Sequence, residues 1–240
     1  MRTLSFGLCL MATVSCAGPD ASKRPVPRPD PAPVATEGSG LGWSLRPFLR
    51  SNEAAKTART QRKLLERGAV CGDLAIQGEA IGRVSGRISA CGIEDAVRVS
   101  AVSGVGLSTQ AVMDCTTARA LKTWLDDSAK PALAKKGGGL SQIKVAAHYI
   151  CRTRNNKKGG KISEHGKGRA IDISAFRLKD GSAFSVLNGW NAKSSSKALR
   201  QMHKGACGPF GTVLGPNADR HHRDHFHFDT ARYRSGSYCR

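Results

Sequence analysis

Two short segments carry five of the chain's seven histidines. The first is Ser163-Glu164-His165-Gly166-Lys167-Gly168-Arg169-Ala170-Ile171-Asp172. The second is His221-His222-Arg223-Asp224-His225-Phe226-His227-Phe228-Asp229. A histidine and a carboxylate in one, with a His-x-His pair in the other, are the ingredients of a zinc site that keeps one position open. Six residues separate His165 from Asp172, too many for neighbours on one strand. Gly166 and Gly168 let the loop between them fold back, because glycine accepts positive φ and close backbone approach. In the second segment strand alternation puts His225, His227 and Asp229 on one face and Phe226 and Phe228 on the other. The phenylalanines can then enter a core while the polar residues face a cleft. His148 and His203 read as ordinary surface residues.

The chain start points outside the cytoplasm. Arg2 precedes a short apolar run from Leu4 to Val14, too short to span a bilayer, and small residues follow. Residues 1–17 read as an export signal. Cleavage after Ala17 is one outcome. Acylation of Cys16 is the other, since Val14-Ser15-Cys16 fits a lipobox, although Thr13 stands where leucine is usual. Residues 18–43 are rich in proline and then glycine and read as a linker. Residues 44–69 read as a basic helical arm, and 70–240 as the folded domain.

Six cysteines remain beyond the signal: Cys71, Cys91, Cys115, Cys151, Cys207 and Cys239. An even set in an exported chain reads as three disulfides, with fifteen pairings open. The pairing expected is Cys71–Cys91, Cys115–Cys151 and Cys207–Cys239. No C-x-x-C pair occurs, so the cysteines do not make a zinc site. The formal net charge of +20 calls for an anionic partner. Export takes most of the weight from nucleic acid, for which an aromatic content of 5% also offers little base stacking, and favours envelope polymers and membrane lipid.

Within the domain, residues 79–107 hold β-like runs. Thr109 is expected to cap a helix that buries Ala111, Cys115, Ala118, Leu121 and Leu125. Ile143 to Cys151 reads as a strand, and so does Ala170 to Phe176. Lys179-Asp180-Gly181-Ser182 reads as a hairpin turn, and Ser194-Ser195-Ser196 opens a helix running to about Lys204. The fold class expected is α+β: helices early, then a small, mostly antiparallel sheet with flanking helices, stapled by disulfides.

Ser163-x-His165-x-x-Gly168-x-Ala170-x-Asp172 resembles the signature of zinc D-Ala-D-Ala peptidases, of the superfamily that includes lysostaphin-type endopeptidases and hedgehog domains. The wider segment from Cys115 to Cys239 resembles the bacterial extensin-like C-terminal domain family, which is similar to those peptidases. Leu214-Gly215-Pro216-Asn217, Asp224-His225-Phe226-His227 and the closing Tyr238-Cys239-Arg240 carry that likeness. It implies a hedgehog or D-Ala-D-Ala peptidase-like fold, with Zn2+ held by His165, Asp172 and His227. It also implies His225 as the base or transition-state donor, with Asp224 competing for that role, one methylene shorter than the glutamate of the dipeptidase branch. His222 would be a further donor. Arg152, with Arg154 as its competitor, would steady the substrate carbonyl. The activity implied is an exported zinc peptidase cutting peptidoglycan stem peptides or cross-links, in the periplasm or cell envelope and as a monomer. The alternative is a non-catalytic, basic envelope-binding module on the same fold.

Overall fold

The computed structural model describes residues 56, 57, 59, 60, 62, 63, 67–233 and 235–240. The expected signal, Cys16 and the linker lie outside these residues. Within the expected arm, Lys56, Thr57, Arg59, Thr60, Arg62 and Lys63 are helical and exposed. The sheet begins at Ala69.

One sheet of ten strands dominates. It is built from β1 (Ala69–Val70), β2 (Asp73–Ser85), β3 (Gly92–Val102), β4 (Val105–Asp114), β5 (Leu140–Ala147), β6 (Ala170–Leu178), β7 (Ala183–Ser185), β8 (Thr212–Leu214), β9 (Phe226–Asp229) and β10 (Tyr238–Cys239). The order across it is β1-β2-β3-β4-β5-β6-β9-β8-β10, and β7 also pairs with β6. The β4–β5 and β8–β10 pairs are parallel and the others antiparallel. The sheet is therefore mixed and mostly antiparallel, but it is not the small one expected.

Its size comes from residues 69–114, where strands precede the helices and not the reverse. The Ser103-Gly104 turn, with both residues at positive φ, folds β4 back on β3. Ala111 then lies opposite Val99 and Met113 opposite Val97, with all four side chains buried. Thr109 is thus a strand residue. The apolar spacing from Ala111 through Cys115 crosses a strand–helix junction, and burial on both sides of it imitates a single helical stripe.

The helix begins one residue after Asp114, whose Oδ1 accepts a hydrogen bond from the Thr117 backbone N–H at 2.7 Å. That bond satisfies one of the first-turn donors that helix geometry leaves open. The helix, α1 (Cys115–Trp124), widens into a π turn over Leu125–Ala129 and ends in α2 (Lys130–Leu133). Asp114→Ala should cost about 1 kcal/mol, read as a melting-temperature fall of roughly 2–4 °C; an unchanged melting temperature would discount the cap.

Helices α3 (Val186–Gly189) and α4 (Ser196–Gly205) complete the fold, with Ala198, Leu199 and Met202 buried as expected. The Trp124 indole packs edge-on to Phe228 at 5.1 Å and donates from Nε1 to the Met202 carbonyl at 2.8 Å. Phe176, Phe210, Phe226 and Phe228 are fully buried. One face of β6 and β9 is thereby committed to the core. His203 is no surface residue, since its ring packs on Trp190 and Phe226.

Three disulfides form: Cys71–Cys115, Cys91–Cys151 and Cys207–Cys239. Only the last was expected. Cys71 precedes and Cys91 follows the 13-residue β2, which holds them at opposite ends of one strand and excludes the Cys71–Cys91 bridge. Cys115–Cys151 fails with it, since each of those cysteines takes a partner from the β2 ends.

Candidate metal centre

The antiparallel register of β6 and β9 sets Asp172 directly opposite His227. Phe226 and Phe228 occupy the core face of β9, so His227 and Asp229 project from the other. Asp172 alternates in the same way with the buried Ile171 and Ile173.

His165 comes from a single 3-10 turn, Glu164–Lys167, closed by Gly168 in the left-handed region at φ +67°. A Cβ on Gly168 would stand 2.1 Å from Ile93 Cδ1, and one on Gly166 would stand 3.0 Å from Cys91 Sγ. Positive φ fixes glycine at 168, and a side chain at 166 would crowd Ile162 and the sulfur of Cys91. The expected strand from Ile143 to Cys151 stops at Ala147. Beyond it the His148 carbonyl turns to the site and accepts from His165 Nδ1–H at 2.7 Å.

Three donor atoms converge. His227 Nδ1 lies 2.8 Å from Asp172 Oδ1 and 3.1 Å from His165 Nε2, and His165 Nε2 lies 3.2 Å from Asp172 Oδ1. The other ring nitrogens are already committed, His165 Nδ1 to the His148 carbonyl and His227 Nε2 to Asp229 Oδ2 at 3.2 Å. Those outer acceptors leave the lone pairs of His165 Nε2 and His227 Nδ1 facing the carboxylate. Two lone pairs and an anionic oxygen at such distances require a cation between them. Tetrahedral zinc with bonds of about 2.0–2.1 Å holds its ligand atoms roughly 3.3 Å apart, a few tenths wider than seen. The donor set and its spacing fit a metal ion, and His165, Asp172 and His227 are the group among the described residues that could hold one.

The ionisation of the group says the same. Burial works against charge on His227, but hydrogen bonds and the charges of Asp172 and Asp229 raise it to about 9. Burial likewise disfavours charge on Asp172, yet His165 and His227 hold its carboxyl far below the usual range. Without metal, a proton on His227 supplies the missing cation.

Around this group lies a cleft of about 620 Å³ lined by Arg152, His222 and His225 among others. His225 Nδ1–H donates to Asp224 Oδ1 at 2.8 Å, and its Nε2 stands 3.7 Å from Asp172 Oδ2. Asp224 does not line the cleft, and 65% of its side chain is exposed. His222 Nδ1–H donates to Asp219 Oδ1 at 2.8 Å, and its ring packs between those of His225 and His227. Burial keeps His222 below the ordinary histidine range despite Asp219. Arg154 lies 3.3 Å from the buried Glu164, which Lys167 also reaches at 2.9 Å. Arg152 also lines the cleft and makes no ion pair among the described residues.

Sequence reasoning missed Asp219 as the partner of His222 and gave Asp229 no role. The alternation of the last strand did place Asp229 on the site face; Asp219, in a turn, had no such signal. It also missed His148, which acts through its carbonyl and whose Nδ1 accepts from the Val112 N–H at 3.4 Å. A larger cleft of about 870 Å³ near the β2–β3 turn contains no histidine. No curated protein and no solved structure matches the chain. Residues 74–240 match the family model described as Extensin-like protein C-terminus, and the chain belongs to that family.

Proposed function

We propose that this protein is an exported zinc-dependent peptidase acting on peptidoglycan stem peptides or cross-links. The observation that carries the reading is the convergence of His165 Nε2, Asp172 Oδ1 and His227 Nδ1, with each imidazole's other nitrogen held by an acceptor. Support also comes from the likeness of the Ser163 to Asp172 motif to that of zinc D-Ala-D-Ala peptidases. On this reading the fold is of the kind those peptidases share with hedgehog domains.

Zinc bound there would polarise a scissile carbonyl and bring the pKa of a bound water to about 7. The rest of the chemistry belongs to side chains of this chain. His225 is the base: Asp224 holds its Nδ1–H, which leaves Nε2 as the atom that takes the proton and returns it to the leaving amine. The exposed position of Asp224 favours this assignment over Asp224 itself. Arg152, which makes no ion pair among the described residues, donates to the substrate carbonyl oxygen and stabilises the charge that develops on it. His222, whose pKa burial lowers and whose ring Asp219 orients, is a second donor at the cleft.

A pH dependence follows. The His227 pKa is raised in the folded, metal-free protein, so its ion pair with Asp172 stabilises the fold fully below about pH 6.5. That contribution is lost as pH rises through about 9. Zinc must displace the same proton. Its affinity should therefore weaken about tenfold per pH unit on going from pH 8 to pH 6, as measured by competition with a chelator. A pH-independent affinity would contradict the assignment of His227.

The +20 charge favours a second reading, a non-catalytic envelope-binding module. Incubation with purified sacculi separates the two. The peptidase releases new muropeptides, whereas the module pellets with sacculi in a salt-sensitive way that His165→Ala does not alter.

A further inference from the structure

Six large hydrophobic side chains are exposed among the described residues, and only two of them are aromatic: Tyr233 at 44% and Tyr238 at 50%. Both line the cleft of the metal centre. They also share one anchor. The Tyr233 hydroxyl bonds Thr212 Oγ1 at 3.1 Å, and Tyr238 stands opposite Thr212 in the β8–β10 register. Thr212 in turn stands opposite Asp229, the residue that holds His227. The backbone of Tyr238 is therefore two strand spacings, roughly 10 Å, from the metal-binding strand. The Cys207–Cys239 bridge ties down the residue after Tyr238, and the Arg240 guanidinium lies 5.6 Å from the Tyr238 ring centre. A tyrosine ring has few torsions to fix and costs little side-chain entropy when a ligand settles on it.

The chemistry of the walls selects the ligand. Among the described residues Leu214 is the only aliphatic side chain lining the cleft. An apolar peptide side chain would need an enclosed apolar pocket, which is not offered here. The same lining includes Asn155, Asn156 and Asp219, groups able to hydrogen-bond several hydroxyls at once. Aromatic faces beside such polar side chains suit a pyranose ring, which has a face of C–H groups and a rim of hydroxyls.

We propose that Tyr233 and Tyr238 form a glycan subsite. The substrate is then a peptide still joined to its sugar chain, with a sugar ring stacked on the tyrosines while the peptide reaches the metal centre. The peptide half of this statement rests on the peptidase reading, while the sugar half does not.

The test compares a disaccharide-linked stem peptide with the same peptide lacking sugar, using full-length zinc-loaded protein. The glycan-linked substrate should have the higher kcat/KM, with the difference in KM. Tyr233→Ala and Tyr238→Ala should each reduce the ratio of the two kcat/KM values about tenfold. Tyr233→Phe, which keeps the ring, should retain most of the ratio. Zinc content, measured alongside, should stay at the wild-type level because both side chains are half exposed. A ratio near one in the wild type, or equal loss on both substrates, overturns the subsite. So does a preference for sugar-free peptides with aromatic side chains. If neither substrate is cut, binding of peptide-free glycan chains by calorimetry decides the question. About tenfold weaker binding in the alanine variants supports the subsite without the peptidase reading, and no binding by the wild type overturns it.

Discussion

His227→Ala should empty the metal centre and bring peptide hydrolysis to background. Zinc in a hydrolytic site depends on three protein ligands, and this substitution leaves two. The loss should exceed the roughly 10–100-fold in affinity that removal of an outer partner costs, and Asp229→Asn, which only loosens the ring of His227, supplies that comparison. Asp172→Asn should behave as His227→Ala does, since Asp172 Oδ1 contacts both histidines. Elemental analysis of the purified variants reads the effect directly. A His227→Ala protein that keeps a full equivalent of zinc would show that the metal lies elsewhere.

His225→Ala should separate metal binding from catalysis. His225 stands 3.7 Å from Asp172 and outside the converging donor atoms. Its loss should leave zinc in place and lower kcat by about 10²–10⁴-fold, the usual share of a positioned proton-transfer group. Asp224→Ala should cost less, because the imidazole remains while losing only its orienting acceptor. The opposite order, with Asp224→Ala the more severe, would transfer the role of base to the carboxylate. Full activity in His225→Ala would remove it from the mechanism.

The parts of this site that follow from local chemistry were legible in the sequence. Alternation in a four-residue strand suffices to send Phe226 and Phe228 inward and His227 outward, and the Gly166 and Gly168 positions mark a loop that must pass tightly under neighbours. The parts that depend on long-range pairing were not legible. Residues 105–114 have a spacing that serves a helix or a strand, and pairing with β3 decides for strand. Disulfide partners depend on where β2 ends, which no local signal reveals. Asp219 lies in the turn between β8 and β9, three residues before the His222 it holds, and the paired tyrosines become visible only when the chain after β9 returns beside β8, which sets Tyr238 next to Thr212. On the proposed reading, the ion pair of Arg154 with the buried Glu164 favours Arg152 for the substrate carbonyl.

The central claim is that a metal held by His165, Asp172 and His227 drives cleavage of envelope peptides. Metal-stripped protein should be titrated with zinc in the presence of purified sacculi, and the soluble products identified by mass spectrometry. The account predicts new muropeptides in proportion to zinc bound, saturating near one equivalent, none with chelator, and none from His227→Ala. Zinc-saturated wild-type protein that leaves every muropeptide unchanged would contradict it.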